Sequence, residues 1–330
     1  MGAVVGVDLG GTKVAAAALS DGALAESVVW STDLSGGEAL VDQLVALVSD
    51  VRPADLAGVG IGVPSIVEFR TGRVVSSVNI PLADVPLRHV LSDRLGVPVF
   101  VDNDATVAAL AEAFDAQLRP VARNLVMLTV GTGVGGGLVL GGRIYRGSTG
   151  GAGELGHTIV GLDSEGEVAL DAHFPQPGSL ESLAAGHALD RLAEEAAESD
   201  PDSALGRLKS SGDDVLGADA VAAANEGDPV ALRTVKMWAQ RVGIGVANAI
   251  NTFDPDEVVI GGGAALAGEL LLEPAIEVAR AYAVPGLGER TKIRLARHGA
   301  YAGVLGAAML AAQELELAAH DHAAANVGAS

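Results

Sequence analysis

Short apolar runs of strand length, each followed by glycine or polar residues, dominate the hydrophobic pattern of this chain. Their aliphatic and β-branched residues leave no solvated face, so we predict that they are strands buried in a core. Over 37–51 the apolar residues recur at helical spacing instead, and Asp228-Pro229 predicts the start of a helix that runs to about Phe253. The predicted strands are Val4–Leu9, 14–19, 56–63, 97–101, Leu125–Val130 and 257–260.

The segment 125–157 concentrates candidate chemistry. Its first strand, Leu125–Val130, runs into the turn Gly131-Thr132-Gly133, and Gly135-Gly136-Gly137 opens the return strand. Such a turn lets backbone N–H groups point at an anion with no Cβ in the way, and Thr132 adds a hydroxyl donor. A plain β-hairpin with a flexible glycine loop shows the same pattern, so this turn alone leaves both interpretations open.

A second hairpin of the same kind opens the chain. The strand Val4–Leu9 ends in Gly10-Gly11-Thr12-Lys13, and the return strand covers 14–19. Strand, glycine and threonine turn, and strand therefore occur twice, which is a weak internal repeat. Two such hairpins facing one another would hold a polyphosphate from both sides.

Composition narrows the class of protein. The chain has 330 residues, 49% of them hydrophobic, which is enough for a large core and predicts two lobes. A net charge of −21 argues against a nucleic-acid partner. The absence of cysteine excludes disulfides, thiol nucleophiles and cysteine-ligated zinc. No signal-peptide pattern opens the sequence, and glycines interrupt the uncharged run 124–142, so we expect a cytoplasmic protein with no membrane partner.

Three polar residues, Asp102, Asn103 and Asp104, stand between an apolar run and a helix predicted to begin near Ala105. One of the acids could be the N-cap of that helix. A strand-to-helix junction also projects side chains into the crevice beyond the strand's carboxyl end, where chemistry is possible. The residues alone leave these two interpretations open.

With the segment 258–263 (VVIGGG), the two hairpins resemble the nucleotide-binding motifs of the actin, heat-shock ATPase and sugar-kinase superfamily, and in detail the ROK family of bacterial sugar kinases. The resemblance extends from Asp8 to about Ala312. It implies an α/β, two-lobed actin/hexokinase-like (ribonuclease H-like) fold with a cleft between the lobes. The expected small N-terminal lobe covers 1–118 plus a C-terminal helix at about 306–320, the large lobe covers 119–305, and 321–330 form a flexible tail.

The resemblance implies ATP and Mg²⁺ as cofactors. Asp8 would lie near the magnesium ion and contact it through water. Segment 183–228 shows no chemistry and is expected to be surface of the large lobe. The residues that the resemblance assigns to ATP are Gly10, Gly11, Thr12, Lys13, Gly131, Thr132, Gly133, Gly262 and Gly263.

The resemblance also implies a sugar site. Segment 102–112 resembles the motif Asn-Asp-Ala-(Asn)-x-Ala-Ala, whose aspartate is the catalytic base, here Asp104, with Asn103 as its sugar-holding neighbour. The family's Gly-Glu-(Ile/Leu)-Gly-His motif is intact, so that Glu154 and His157 would hold ring hydroxyls. Further sugar-binding candidates are Glu181, Asn79, which could instead close a turn, and Ser65, which stands where glycine is typical.

One segment departs from the family. Most members follow the motif histidine with a cysteine cluster that binds zinc together with it. Here 175–181 reads PQPGSLE, which retains Glu181 and no thiolate. We therefore expect no structural zinc, and His173 with Asp171 would make a poor substitute site.

The function implied is ATP-dependent phosphorylation of the 6-hydroxyl of a hexose, most simply glucose, within carbohydrate metabolism. Mannose, fructose, N-acetylglucosamine or N-acetylmannosamine as substrate, and polyphosphate as donor, stay open. A homo-oligomer, dimer or tetramer, is expected. The alternatives are a non-catalytic sugar-binding member, a non-sugar ATPase of the superfold, and a sugar-sensing repressor, which the charge of −21 disfavours.

Overall fold

The computed structural model describes residues 2–77, 79–115, 117–161 and 173–327. Asp171 and the last part of the expected tail, 328–330, lie outside these residues. The described residues form two compact units. The first lies within Met1–Arg123, Gly137–Gly153 and His298–Ser330, and the second within Asn124–Gly136 and Glu154–Arg297.

Strands and helices both occur along the length of the described chain, as expected for an α/β protein. The strands are β1 (Val4–Leu9), β2 (Lys13–Ser20), β3 (Ala23–Leu24), β4 (Val28–Ser31), β5 (Gly58–Val63), β6 (Ser65–Glu68), β7 (Arg73–Ser77), β8 (Val99–Asn103), β9 (Leu125–Val130), β10 (Val134–Leu140), β11 (Arg143–Ile144), β12 (Glu257–Gly261) and β13 (Lys292–Leu295). The helices are α1 (Gly37–Asp50), α2 (Leu87–Leu95), α3 (Asp104–Glu112), α4 (Leu180–Ala184), α5 (Gly186–Ser199), α6 (Ala204–Ser210), α7 (Gly217–Asn225), α8 (Pro229–Phe253), α9 (Glu269–Tyr282) and α10 (Ala302–Val327).

The sheet of the first unit has the order β3-β2-β1-β5-β8, with β4 also paired to β2. Strands β1, β5 and β8 are parallel, and their register places Asp8 opposite Gly62 and Gly62 opposite Asp102. Because the carboxyl ends of parallel strands meet at the same edge of a sheet, the polar residues that end β1 and β8 lie close together. This edge of the sheet positions Asp8 and Asp102.

Helix α10 packs directly on that sheet. A Cβ added to Gly6 would overlap the carbonyl oxygen of Val304, and one added to Gly60 would overlap the carbonyl oxygen of Ala307. Glycine at both positions therefore allows the helix backbone to approach the strands closely. The stretch Gly299–His320 is long and apolar enough to cross a membrane, but half of it is buried inside the structure, where this packing accounts for its composition.

The C-terminal helix is longer than expected. We predicted a helix at about 306–320 and a flexible tail from 321, whereas α10 runs from Ala302 to Val327. No glycine or proline occurs over 307–327, and alanine, the best helix former, is the commonest residue there, so nothing local ends the helix at 320.

In the second unit, β12 lies between β9 and β13, parallel to both, and its residues are buried. Helix α8 begins as predicted, because Asp228 accepts hydrogen bonds from the N–H groups of Val230 and Ala231 at 2.9 Å and Pro229 occupies the first turn. It ends at Phe253, before the left-handed Asp254. The buried Trp238 of α8 donates its indole N–H to the Ala184 oxygen at 2.8 Å, which joins α8 to α4.

Candidate active site

Two acids meet at the strand ends of the first unit. Asp8 is the penultimate residue of β1, and Asp104 is the first residue of α3, directly after β8. Burial, and next the negative charge of Asp104, raise the pKa of Asp8 from 3.8 to about 6. The carboxylate also meets the N-terminus of α10, since a Cβ on Gly303 would overlap its oxygens. The positive end of that helix partly offsets the repulsion between the acids.

The acid pair fits Mg²⁺, the cation that the resemblance implies. Magnesium prefers carboxylate and water oxygens, and a cation here would relieve the repulsion that raises the pKa of Asp8. Among the described residues no cluster of three or more acidic or histidine side chains could hold a metal by itself. Asp8 would therefore share the ion with water and phosphate oxygens, as expected for magnesium in a phosphoryl-transfer site.

Asn103, and not one of the neighbouring acids, is the N-cap of α3. Its side-chain oxygen accepts from the Thr106 N–H at 3.1 Å, and its amide nitrogen donates to the Ser65 carbonyl at 3.4 Å. Asp104, the first residue of the helix, accepts from the N–H of the next residue, Ala105, at 2.7 Å. The cap thus holds the junction and leaves the Asp104 carboxylate outside the capping role that we weighed for it.

The other two sugar-binding candidates of this unit differ in access. The hydroxyl of Ser65 is buried and has no hydrogen-bond partner among the described residues, so a ligand could reach it only after its neighbours move. Asn79 is exposed and lies against the first hairpin, because a Cβ on Gly11 would be 3.3 Å from the Asn79 Cβ. The structure thus places Asn79 beside the glycine-rich turn of the first hairpin.

An ion pair that the sequence did not indicate supports the Asp102–Asp104 segment. The Arg146 Nε donates to a carboxylate oxygen of the buried Asp102 at 2.6 Å, and the guanidinium stacks on the Phe69 ring, 3.4 Å from its centroid. Arg146 also lies 3.4 Å from Glu314 of α10. Burial raises the pKa of Asp102, and the Arg146 charge and the N–H of Asn103 act against that rise.

The turn of the first hairpin is fixed by backbone bonds and by one threonine. The Gly10 N–H donates to the Lys13 oxygen at 2.9 Å. Thr32 donates its hydroxyl to the Gly10 oxygen at 2.8 Å and its N–H to the Thr12 oxygen at 3.0 Å. The side chains of Thr12 and Lys13 remain exposed, so they are accessible to an anion.

The turn of the second hairpin is held by Glu181. One carboxylate oxygen of Glu181 accepts from the Val134 N–H at 2.8 Å, and a Cβ on Gly133 would be 2.5 Å from it. The Gly131 oxygen accepts from the Gly186 N–H at 2.7 Å. The residue that the resemblance assigns to the sugar therefore also shapes the predicted phosphate turn, and Gly133 is required for its close approach.

A cavity of about 380 Å³ in the second unit is lined by Gly131 and Thr132 of this turn and by Gly263, which follows β12. Gly262 itself takes a left-handed φ of 79°, and a Cβ there would overlap the Val130 oxygen. Helices α5 and α7, in the segment expected to be surface without chemistry, supply much of the wall, and no sequence signal indicated this. The lining residues are Gly131, Thr132, Gly186, Leu189, Asp190, Gly217, Ala218, Val221, Trp238, Gly263, Ala264, Leu266 and Ala267.

Glu154 and His157, which the resemblance assigns to the sugar, lie together, with 3.8 Å between a Glu154 oxygen and the His157 Nε2. Both side chains are partly exposed. The other ring nitrogen, Nδ1, is buried and without a hydrogen-bond partner among the described residues. The Phe174 ring meets the imidazole edge to face, with the centroids 5.1 Å apart.

The family's zinc does not fit these residues. A structural zinc site needs four ligands, mostly thiolates and imidazoles, and the sequence has no cysteine. Within the described part of the chain no group of three ligands accompanies His157. The expectation of no structural zinc therefore stays a prediction, which we develop below.

Comparisons with known proteins match nearly the whole chain and point to one family. The sequence profile of the ROK family matches residues 4–314. A glucokinase of Halalkalibacterium halodurans is 35% identical over 94% of this chain and 95% of its own length. Among solved structures, a ROK hexokinase from Thermus thermophilus is 37% identical, with a TM-score of 0.75 over 95% of this chain and 99% of its own.

A ROK family glucokinase from Streptomyces griseus, solved with glucose and AMPPNP, is 32% identical, with a TM-score of 0.75 over 94% of this chain and 100% of its own. These similarities confirm the two-domain α/β sugar-kinase fold that the hairpins predicted. Both the profile and the relatives cover nearly the whole chain, and the described residues include both hairpins and the intact Gly-Glu-Leu-Gly-His motif. The protein is therefore a member of the ROK family.

Proposed function

We propose that this protein is an ATP-dependent hexokinase that phosphorylates the 6-hydroxyl of glucose. The observation that carries the proposal is the position of Asp104 beside Asp8, at the strand ends of the first unit. The relatives named glucokinase and hexokinase, one of them solved with glucose and an ATP analogue, support the substrate and the donor.

In the proposed reaction, the oxygen of the sugar 6-hydroxyl forms a bond to the γ-phosphorus of ATP, and Asp104 accepts the proton of that hydroxyl. The bond between that phosphorus and the β–γ bridging oxygen breaks, and ADP leaves with the bridging oxygen. Asp8 would help to hold Mg²⁺, which when bound would supply positive charge against the phosphate oxygens. Proton acceptance by a positioned carboxylate is worth about 10²- to 10⁴-fold in rate.

The remaining candidate residues would bind and orient. Asn103, Glu154, His157 and Glu181 would hold sugar hydroxyls, with Asn79 and Ser65 as further candidates. The glycine-rich turns and the exposed Thr12 and Thr132 would bind phosphates through N–H and O–H donors. The mostly apolar cavity of the second unit is large enough to take the adenosine. Backbone donors suit this role, because a net charge of −21 repels ATP at long range.

The substitution Asp104→Asn tests the catalytic assignment. We expect glucose binding, measured by calorimetry, to stay within about twofold, while turnover falls by about 10²- to 10⁴-fold. Asp50→Asn, an exposed acid at the end of α1, is the matched control and should leave both unchanged. Near-normal turnover of Asp104→Asn would show that another group is the base.

The substrate is tested by ADP release with Mg-ATP and each of five sugars: glucose, mannose, fructose, N-acetylglucosamine and N-acetylmannosamine. The highest kcat/KM with glucose would support the proposal, and the highest value with another sugar would replace glucose and keep the mechanism. Glucose binding without any turnover would favour a non-catalytic sugar-binding protein. Substituting polyphosphate for ATP in the same assay tests the donor.

We also propose a cytoplasmic homo-oligomer, a dimer or tetramer, that binds sugar and ATP and neither nucleic acid nor membrane. Light scattering of the purified protein gives its mass in solution. A mass of one chain, 33.0 kDa, at micromolar concentration would contradict the oligomer.

A further inference from the structure

Backbone hydrogen bonds connect the segment after His157 with the segment that leads into α4. The Val160 and Gly161 N–H groups donate to the Gly178 oxygen at 2.8 and 3.0 Å, and the Leu180 N–H donates to the Thr158 oxygen at 2.9 Å. A bridge between Ile159 and Ser179 completes this short ladder. By the resemblance, zinc would connect these two segments in most members of the family. Here backbone hydrogen bonds within the chain connect them.

The same ladder positions Glu181. Ser179 is fully buried and caps α4, because its hydroxyl accepts from the Ser182 N–H at 3.2 Å. Glu181 lies in the first turn of that helix, and its carboxylate binds the Val134 N–H. The ladder therefore sets the backbone of the His157 segment relative to the sugar candidate Glu181, but it does not restrain the imidazole ring itself.

Phe174 contacts the His157 ring directly. Its ring stands at 83° to the imidazole plane with the centroids 5.1 Å apart, a geometry that aromatic pairs favour. Phe174 is otherwise out of place, since 67% of it is exposed to solvent. On the inner side of the imidazole, the buried Nδ1 has no polar partner among the described residues that could orient it.

We propose that Phe174 is a positioning residue that fixes the imidazole plane of His157 for sugar binding, the task that a zinc ion would perform if thiolates were present. The inference rests on the proposed sugar-kinase function. An unrestrained imidazole would rotate about its side-chain bonds, and each hydrogen bond to a sugar hydroxyl would then carry the entropic cost of ordering it. The Phe174 contact removes that cost without a metal.

The test compares Phe174→Ala with Phe174→Tyr, which keeps the ring. We expect the glucose Kd and KM of Phe174→Ala to rise about 2- to 10-fold with kcat within about twofold, because the contact acts on binding and not on Asp104. Phe174→Tyr should behave as the wild type. Tyr282→Ala removes an aromatic ring of similar exposure from the same unit and is the matched control, expected to change neither constant.

Two measurements do not depend on turnover. The wild-type protein should contain far less than one zinc per chain by mass spectrometry, and a zinc chelator should leave the glucose Kd unchanged. The imidazole C–H resonances of His157, assigned with His157→Gln, should be displaced by the Phe174 ring current and should move towards free-histidine positions in Phe174→Ala.

Stoichiometric zinc, a chelator-sensitive Kd, unmoved His157 resonances or an unchanged Kd in Phe174→Ala would each overturn the inference. A wild-type protein that binds glucose but transfers no phosphate would contradict the proposed function alone, since the Kd comparison would still test Phe174. The two failures are therefore distinguishable.

Discussion

At the scale of single residues, Asp8 shows how a functional environment alters an ordinary side chain. Its pKa of about 6 follows from burial and from the nearby charge of Asp104. A carboxylate kept in such a place lowers the stability of the folded protein at neutral pH, and clustered acids of this kind are typical of functional sites. Asp8 is therefore a residue whose removal should separate stability from activity.

We predict that Asp8→Asn raises the melting temperature at pH 8 and lowers kinase turnover. The folded-state pKa is raised, so the folded protein binds a proton that the unfolded chain releases between about pH 4 and 6, and the ionised group costs stability above that range. The asparagine has no such cost, so its stabilisation should be larger at pH 8 than at pH 5. Thermal unfolding at both pH values measures this, and a variant less stable than the wild type at pH 8 would contradict it.

At the scale of elements, the junction of β8 and α3 is held by contacts from distant parts of the first unit. Arg146, two residues after the end of β11, pairs with the buried Asp102, stacks on Phe69 and lies near Glu314 of α10. The Asn103 cap ties the same junction to Ser65. These contacts keep Asp104 at a defined position, which phosphoryl transfer requires more than covalent help from the protein.

Arg146→Met should destabilise the protein by about 3–5 kcal/mol, because it leaves Asp102 buried without its cation. Adding Asp102→Asn to the same chain should recover part of that loss, since the uncompensated charge is then gone. Arg143→Met removes an exposed arginine three positions away and should change stability by less than about 0.5 kcal/mol. Urea unfolding gives the free energies, and equal effects of the two arginine substitutions would argue against the buried pair.

At the scale of the whole molecule, charge is the dominant feature. The chain has 42 acidic and 21 basic residues. Ion pairs such as Glu257 with Arg294 and Lys292 neutralise a few of these acids, and the excess acids repel one another in the compact state. Under the proposed function, this excess means that ATP would be bound by local N–H donors and not by a basic surface.

We predict that the melting temperature rises between about 20 mM and about 300 mM sodium chloride, because salt screens the self-repulsion of the folded chain over this range. A parallel series with potassium chloride should give the same rise, which distinguishes screening from binding of a particular cation. A melting temperature that falls with salt would mean that attractive surface pairs outweigh the net charge.

Much of this fold was predictable from local patterns. The strand Leu125–Val130 and the start of α8 at Asp228-Pro229 were predicted correctly, because strand burial, tight turns and helix caps depend on residues close together in the chain. The end of α10 was not, since a chain without a helix breaker carries no local signal for a terminus. The family too was evident from the two hairpins and the Gly-Glu-Leu-Gly-His motif.

The sequence by itself thus determined the strands that were predicted, the glycine turns, the family and the identity of the candidate acids, because these are encoded in short segments of the chain. Only the tertiary structure decided that Asn103 caps α3, that Arg146 neutralises Asp102, that Phe174 meets His157, and that α5 and α7 line the cavity of the second unit. The physical reason is that burial, ion pairing and pKa depend on distances in space between residues far apart in the chain. No period or motif along a single sequence encodes those distances directly.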